Sequence, residues 1–239
     1  MLGCLDLGYR TGRWAIRGDN RSPEGLGTIE AAIFALLGLL LGFAFAGAMS
    51  RLDARRQLIV REANAIGTAY LRLDLLPLSA QPDLRRLFRD YLTLRLRAYE
   101  VSDLEATDRY IAQATELQRQ IWTRLTTLAP DDQTRNVART VIPAVNEMID
   151  VTTARTLALR THLPVPILAL LIVVALVSAW VAGYEMAKRQ RRSVLHGALY
   201  AAIVSATVYT VLDLDNPRVG LIRLDAAEHI LRELHDSIR

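Results

Sequence analysis

Polar side chains that could do chemistry fall into two sets in this chain, each just after a long apolar stretch. Glu62, Asn64, Arg72 and Asp74 follow the first, and Asp213, Asp215 and Arg218 follow the last. Their functional reading is a charged ring or binding site near a membrane surface, made where a long helix and the chain's tail meet. Their plainer reading is a set of cross-helix salt bridges that pin the tail, since exposed and half-exposed charge pairs are common and contribute little. Asp213 and Asp215, one residue apart beside Asn216-Pro217, could hold a cation. They could equally cap backbone donors or pair with Arg218 and Arg223, and no metal is expected there.

Other chemistries find no footing. The spacings HExxH, GxxxxGK[ST] and GxSxG do not occur, and Cys4 is the only cysteine, so neither a thiolate metal site nor an internal disulfide can form. His162 and His196 lie at the edges of apolar runs, while His229 and His235 lie near the end of the chain. No enzyme activity and no cofactor are expected. Of 239 residues, 51% are hydrophobic and 23% charged, a balance that suits a membrane protein with one sizeable domain in water. The net charge of +4 comes from scattered arginines, Lys188 being the only lysine, and no basic run interleaves with aromatics as a nucleic-acid surface requires.

The elements that position these residues start with a membrane span over 28–50. Ala31 to Met49 carries no charge, and Glu30 and Arg51 bracket a run long enough to cross ~30 Å of hydrocarbon. Gly38, Gly42 and Ala46 put small side chains on one face, where another helix could approach. Beyond Arg51 the helix is expected to continue to Pro77, because Leu52, Ile59, Ile66 and Leu73 recur every seventh residue, with Ala63 and Tyr70 between them.

Three further helices are expected before the second span: one ending near Glu100, one capped by Ser102 with Glu105 and running to about Leu128, and one restarted by Pro130, Asp131 and Asp132 whose stripe continues toward Arg160 with a kink at Pro143. With no strand alternation, residues 51–162 read as an antiparallel helical bundle. A second span covers 163–185, a basic loop 186–194 and a third span 195–212. The tail, 213–239, carries a short amphipathic helix. Residues 1–27 are expected to be a polar, irregular segment, since Gly18, Asp19, Asn20, Ser22, Pro23 and Gly25 crowd together as turn formers. The fold class is therefore an all-α membrane protein: three transmembrane helices plus an extramembrane antiparallel bundle. Lys188, Arg189, Arg191 and Arg192 place the loop in the cytoplasm by the positive-inside rule. That puts residues 1–27 inside, the bundle and C-terminus outside, and the chain in a bacterial inner membrane as a multi-pass protein.

Two stretches carry a family likeness. Glu62-Ala63-Asn64-Ala65-Ile66-Gly67-Thr68-Ala69-Tyr70-Leu71-Arg72-Leu73-Asp74-Leu75-Leu76-Pro77 and Leu212-Asp213-Leu214-Asp215-Asn216-Pro217-Arg218-Val219-Gly220-Leu221-Ile222-Arg223 resemble the bacterial bestrophin-like membrane family, whose function is not established. The resemblance covers nearly the whole chain. Members usually carry a further hydrophobic span ahead of the Gly8-Tyr9-Arg10-Thr11-Gly12 segment, which leaves open an internal start or a truncated copy. True bestrophins are pentameric anion channels with a cytoplasmic helical domain, so the resemblance implies the opposite side for the bundle from the charge rule. No pore-lining motif of theirs matches here residue by residue.

The resulting expectation is a homo-oligomeric channel or transport protein whose partners are the lipid bilayer and further copies of itself, with Ser178, Ser205 and Thr207 lining a polar path between subunits. The alternative is a membrane-anchored helical interaction or sensory module without catalysis.

Overall fold

A computed structural model describes residues 1–18, 26–101, 103–128, 132–189, 193–216, 220–222 and 225–238. Among these residues the chain is helical, with no strand: α1 (Leu2–Gly18), α2 (Leu26–Arg72), a 3₁₀ turn (Leu73–Leu75), α3 (Gln81–Glu100), α4 (Leu104–Leu128), α5 (Asp132–Arg160), α6 (Val165–Lys188), α7 (Val194–Asp215) and α8 (Asp225–Ser237). They form two compact units. The first comprises Met1–Ser50 with His162–Asn216, and the second Arg51–Thr161 with Pro217–Arg239.

The first unit holds the apolar helices, and α2, α6 and α7 are each part of a helix long and apolar enough to cross a membrane. Its core is built from Leu37 of α2, Ala175 of α6 and Val204 of α7, flanked by Met1, Leu41, Val174 and Tyr200. Pro164 precedes α6, where its missing N–H costs nothing, and the Ser193 side chain caps α7 by accepting from the His196 backbone N–H.

The start of the chain departs from expectation. Residues 2–18 form a helix rather than an irregular segment, and α1 lies parallel to α6 in backbone contact. Gly8 faces Trp180, Gly12 faces Tyr184 and Ala187, and Gly183 faces Leu5 and Tyr9. A Cβ at Gly8 would land on the carbonyl oxygen of Trp180, and one at Gly183 on that of Leu5. Gly8, Gly12 and Gly183 are therefore packing residues, and the ~1 kcal/mol that each costs a helix is offset by the close approach it permits. The turn formers Asp19, Asn20, Ser22, Pro23 and Gly25 lie outside the described residues.

Within the expected span of α2, residues 28–50, the buried positions are Leu37, Ala44 and Ala48, whereas Gly38, Gly42 and Ala46 are exposed, the two glycines with no neighbour within 4 Å of an added Cβ. The small-residue face is thus open at both glycines among the described residues. α7 runs to Asp215, past the expected end at Leu212, and so takes in Asp213 and Asp215.

The second unit is the bundle. Leu52, Ile59, Ile66 and Leu73 are almost completely buried, as the seven-residue spacing requires. α2 stops at Arg72 and the 3₁₀ turn at Leu75, slightly short of Pro77, because the residue before a proline is held out of the helical region and Leu76 is extended (φ −79°, ψ 158°). The Asp103 side chain serves the start of α4, accepting from the Ala106 N–H at 3.0 Å, and Ser102 lies outside the described residues. Pro143 is accommodated inside α5. Arg55 is buried and closes the end of α5 by donating to the carbonyls of Ala158 (3.1 Å) and Thr161 (2.8 Å). α8 docks through fully buried Leu231, with the Tyr70 hydroxyl donating to the Ile238 carbonyl at 3.3 Å and Arg232 3.3 Å from Glu100.

Candidate functional site

Helical period carries Glu62 inward. It falls on α2 between Ile59 and Ile66, on the face that also buries Ala63 and Ala69, and its side chain is 0% exposed. On α3 the buried stripe Leu84, Phe88, Tyr91 continues through Arg95 to Ala98. On α5 the stripe Val141, Val145, Met148, Thr152 continues through Arg155. Three charged side chains therefore meet where an apolar core would be expected.

Their geometry is closed. Arg95 Nε donates to Glu62 Oε1 at 2.7 Å, Arg155 Nη1 donates to Glu62 Oε2, and the Tyr99 hydroxyl donates to Oε2 at 2.9 Å. Arg95 Nη2 donates in turn to the Tyr99 oxygen at 2.5 Å. The Arg155 guanidinium lies over the Tyr99 ring, 3.7 Å from its centre. A second polar layer adjoins this one: Tyr91 and Thr152 hydroxyls 2.9 Å apart, with Gln118 Nε2 donating to the Tyr91 oxygen at 3.1 Å. Helices α2, α3, α4 and α5 are all tied into these layers.

Electrostatics follow from the contacts. Burial alone would push the Glu62 carboxyl up, but the charges and hydrogen bonds of Arg95 and Arg155 bring it down to about 2. Burial works against a charged Arg95, and the Glu62 carboxylate more than compensates, holding it above its ordinary value. Tyr99 is pushed up by burial, so its proton stays on. A carboxylate this depressed, with both oxygens engaged by guanidinium and phenol donors, is no general base near neutral pH. What it can do is hold three helices in one register, because removing the carboxylate would leave two buried guanidinium charges uncompensated.

The residues singled out from sequence disperse. Asn64 is exposed, Arg72 donates to the Thr140 carbonyl at 2.8 Å, and Asp74 pairs with Arg85. Asp213 and Asp215, within the first unit, are both buried. Asp215 Oδ2 accepts from the Leu163 N–H at 2.8 Å, with His162 Nδ1 3.6 Å away, so this carboxylate caps a backbone donor. Arg218 and Arg223 lie outside the described residues. Tail pinning does occur, through α8. Ser178 is fully buried, bonded to the Ala175 carbonyl at 2.9 Å and 2.7 Å from the Tyr200 hydroxyl, so it lines no path between subunits. Ser205 is exposed, and Thr207 is half-buried, donating to the Ile203 carbonyl.

Arg95, Arg155 and Tyr99 were not foreseen as site residues. The available signal was periodicity itself, since each arginine sits seven residues past a buried large side chain, Phe88 and Met148.

A family model of the bestrophin-like domain matches residues 10–228. The chain belongs to the bestrophin-like family. No curated protein matches it. Among solved structures, a crystal structure of a membrane protein variant superposes with a TM-score of 0.73 at 12% identity, covering 99% of this chain and 97% of that one. Two variants of a bacterial bestrophin homolog from Klebsiella pneumoniae give 0.70 at 13% identity, covering 99% and 97%, and 0.69 at 15%, covering 98% and 97%. At these identities the likeness is one of fold. This bestrophin-like protein is thus an all-α membrane protein with a helical bundle.

Proposed function

We propose that this bestrophin-like protein is a non-catalytic subunit of a homo-oligomeric ion channel or transport assembly, multi-pass in a bacterial inner membrane. The observation that carries the reading is the bareness of α2. The most apolar window of its span is only 17% buried, and Gly38, Gly42 and Ala46 stand open on one face. A small-residue face of this kind suits close helix packing between copies, which fits the assembly implied by the family resemblance. The exposed Ser205 is the hydroxyl left available to a polar path. The charge rule puts the bundle outside, but family membership favours the reverse, and we place it in the cytoplasm.

Purified full-length protein of verified oligomeric state, fused into planar bilayers, is expected to give discrete conductance steps. Silent bilayers containing that oligomer would overturn the channel reading and leave the interaction module in its place.

A further inference from the structure

We propose that Glu30 of α2 and Glu185 of α6 form a proton-operated latch at the basic-loop end of the membrane unit, closed when the two carboxyl groups share a proton and released when that proton leaves. Helix geometry brings the two together. Leu37 of α2 shares a core cluster with Ala175 of α6, and Glu30, about two turns before Leu37, lies within hydrogen-bonding reach of Glu185, nearly three turns after Ala175. The two helices therefore run antiparallel, with the carboxyl pair at their loop ends.

A carboxylate only accepts hydrogen bonds, so a bond between two carboxyl groups contains a proton. Glu185 is already committed as the anion. Its Oε1 accepts from Arg189 Nε at 3.1 Å, and Lys188 Nζ stands 3.8 Å from Oε2, too far for a hydrogen bond. Oε2 itself is buried and has no other hydrogen-bond partner among the described residues. Protonated Glu30 is the donor that fits. With that proton in place, Oε2 is satisfied and α2 is tied to α6. With Glu30 ionised, a buried acceptor is left bare and two negative charges face each other, so parting the helix ends lowers the energy.

Little else holds this end of α2. Gly27 faces open space, and one turn past Glu30 the Phe34 ring meets Tyr200 of α7 edge-on, with centres 5.9 Å apart. The charges that face the pair are Lys188 and Arg189 on α6 itself. Of the helices beside that end of α6, α1 brings Arg13, exposed and next to Gly12, and α7 brings His196, its Nδ1 2.5 Å from Ser193 Oγ, while Arg191 and Arg192 lie outside the described residues. Lysine and arginine stay charged across the neutral range, so beside His196 the carboxyl pair is what changes with pH. The latch depends on no claim about conduction. Its bearing on assembly does rest on the proposed function, because moving the start of α2 re-aims the face that carries Gly38 and Gly42.

Double electron–electron resonance on the full-length protein in detergent tests this, with Cys4→Ser and spin labels on Gly27→Cys and Ala182→Cys, near the pair but outside it. Between about pH 8 and about pH 5, a window above the one in which Glu62 protonates, the shorter-distance population is expected to rise roughly threefold or more. Glu30→Gln, whose amide donates at any pH, should hold the short distance at both ends of the window, and Glu30→Ala the long one, while His196→Gln keeps the wild-type response. Helicity and oligomer mass serve as the check that each variant is folded. A wild-type distance that ignores pH would overturn the proposal. So would a folded Glu30→Gln protein that still responds to pH, or a response that disappears with His196 alone.

Discussion

Arg95 and Glu62, 33 positions apart in sequence, meet at 2.7 Å with both side chains sealed from solvent, and Arg155 closes the same carboxylate from the other side. Two guanidinium groups around one carboxylate leave an excess positive charge in the bundle interior. Only an intact set of hydrogen bonds makes that tolerable.

Glu62→Gln keeps the shape and removes the charge, leaving two buried arginines without a counter-ion. The expected loss is about 3–5 kcal/mol of bundle stability, read as a large drop in the thermal midpoint of detergent-solubilised protein. Glu116→Gln, which breaks the exposed pair with Arg119, should leave the midpoint essentially where it was. Equal effects of the two substitutions would remove the structural role assigned to the buried cluster.

Acid should act through the same carboxylate. Glu62 is depressed to about 2 in the folded protein, against an unfolded carboxyl near ~4.3, so its contribution is complete above the unfolded value and disappears as pH falls through the folded one. Denaturant titrations at stepped pH should show the wild type losing stability between about pH 5 and pH 2, with the gap to Glu62→Gln narrowing across that window. A gap of constant size would contradict the assignment.

The two kinds of glycine should separate cleanly. Gly8→Val and Gly183→Val place atoms on a facing carbonyl and are expected to abolish engineered disulfides between α1 and α6. Gly42→Leu meets open space within the chain, so those disulfides should still form while the oligomer, sized by light scattering, falls apart. If Gly42→Leu leaves the oligomer mass intact, the small-residue face is not where copies meet.

Asp215 provides a third contrast. Asp215→Asn retains an oxygen for the Leu163 N–H and should be mild, whereas Asp215→Ala loses that bond at a cost of about 1 kcal/mol. Calcium or a chelator should shift the melting temperature of neither variant nor of the wild type. A calcium-dependent rise confined to the wild type would restore the cation reading of Asp213 and Asp215.

Sidedness can be read directly. With Cys4 replaced and Gln113→Cys as the sole thiol, at an exposed position on α4, an impermeant maleimide should fail to label intact cells and succeed after lysis. Labelling before lysis would return the bundle to the side deduced from the basic loop.

Much of the architecture was legible because it is written in period. The seam of Leu52, Ile59, Ile66 and Leu73 announced α2 beyond the membrane, and it is buried as expected. Two things were hidden, for different reasons. α1 was obscured because the turn formers crowded between Gly18 and Gly25 coloured the reading of the whole segment 1–27, while the value of Gly8 and Gly12 lies in contact with a helix far away in sequence. The Glu62 cluster was half visible. Glu62 drew notice as a charge, but its partners interrupt apolar stripes at core positions, and an arginine there is ordinarily read as a gap in the stripe. Only the convergence of α2, α3 and α5 turns those gaps into one site.

The contact between α1 and α6 also bears on biogenesis. α1 finds its glycine-matched surface on a helix made only after α2, α3, α4 and α5 have been synthesised. Until then Leu2–Gly18 lacks its α6 partner, so completion of the membrane unit has to await the synthesis of Val165–Lys188. A nascent chain arrested before Gly183 would expose this segment to whatever chaperone or protease reaches it first.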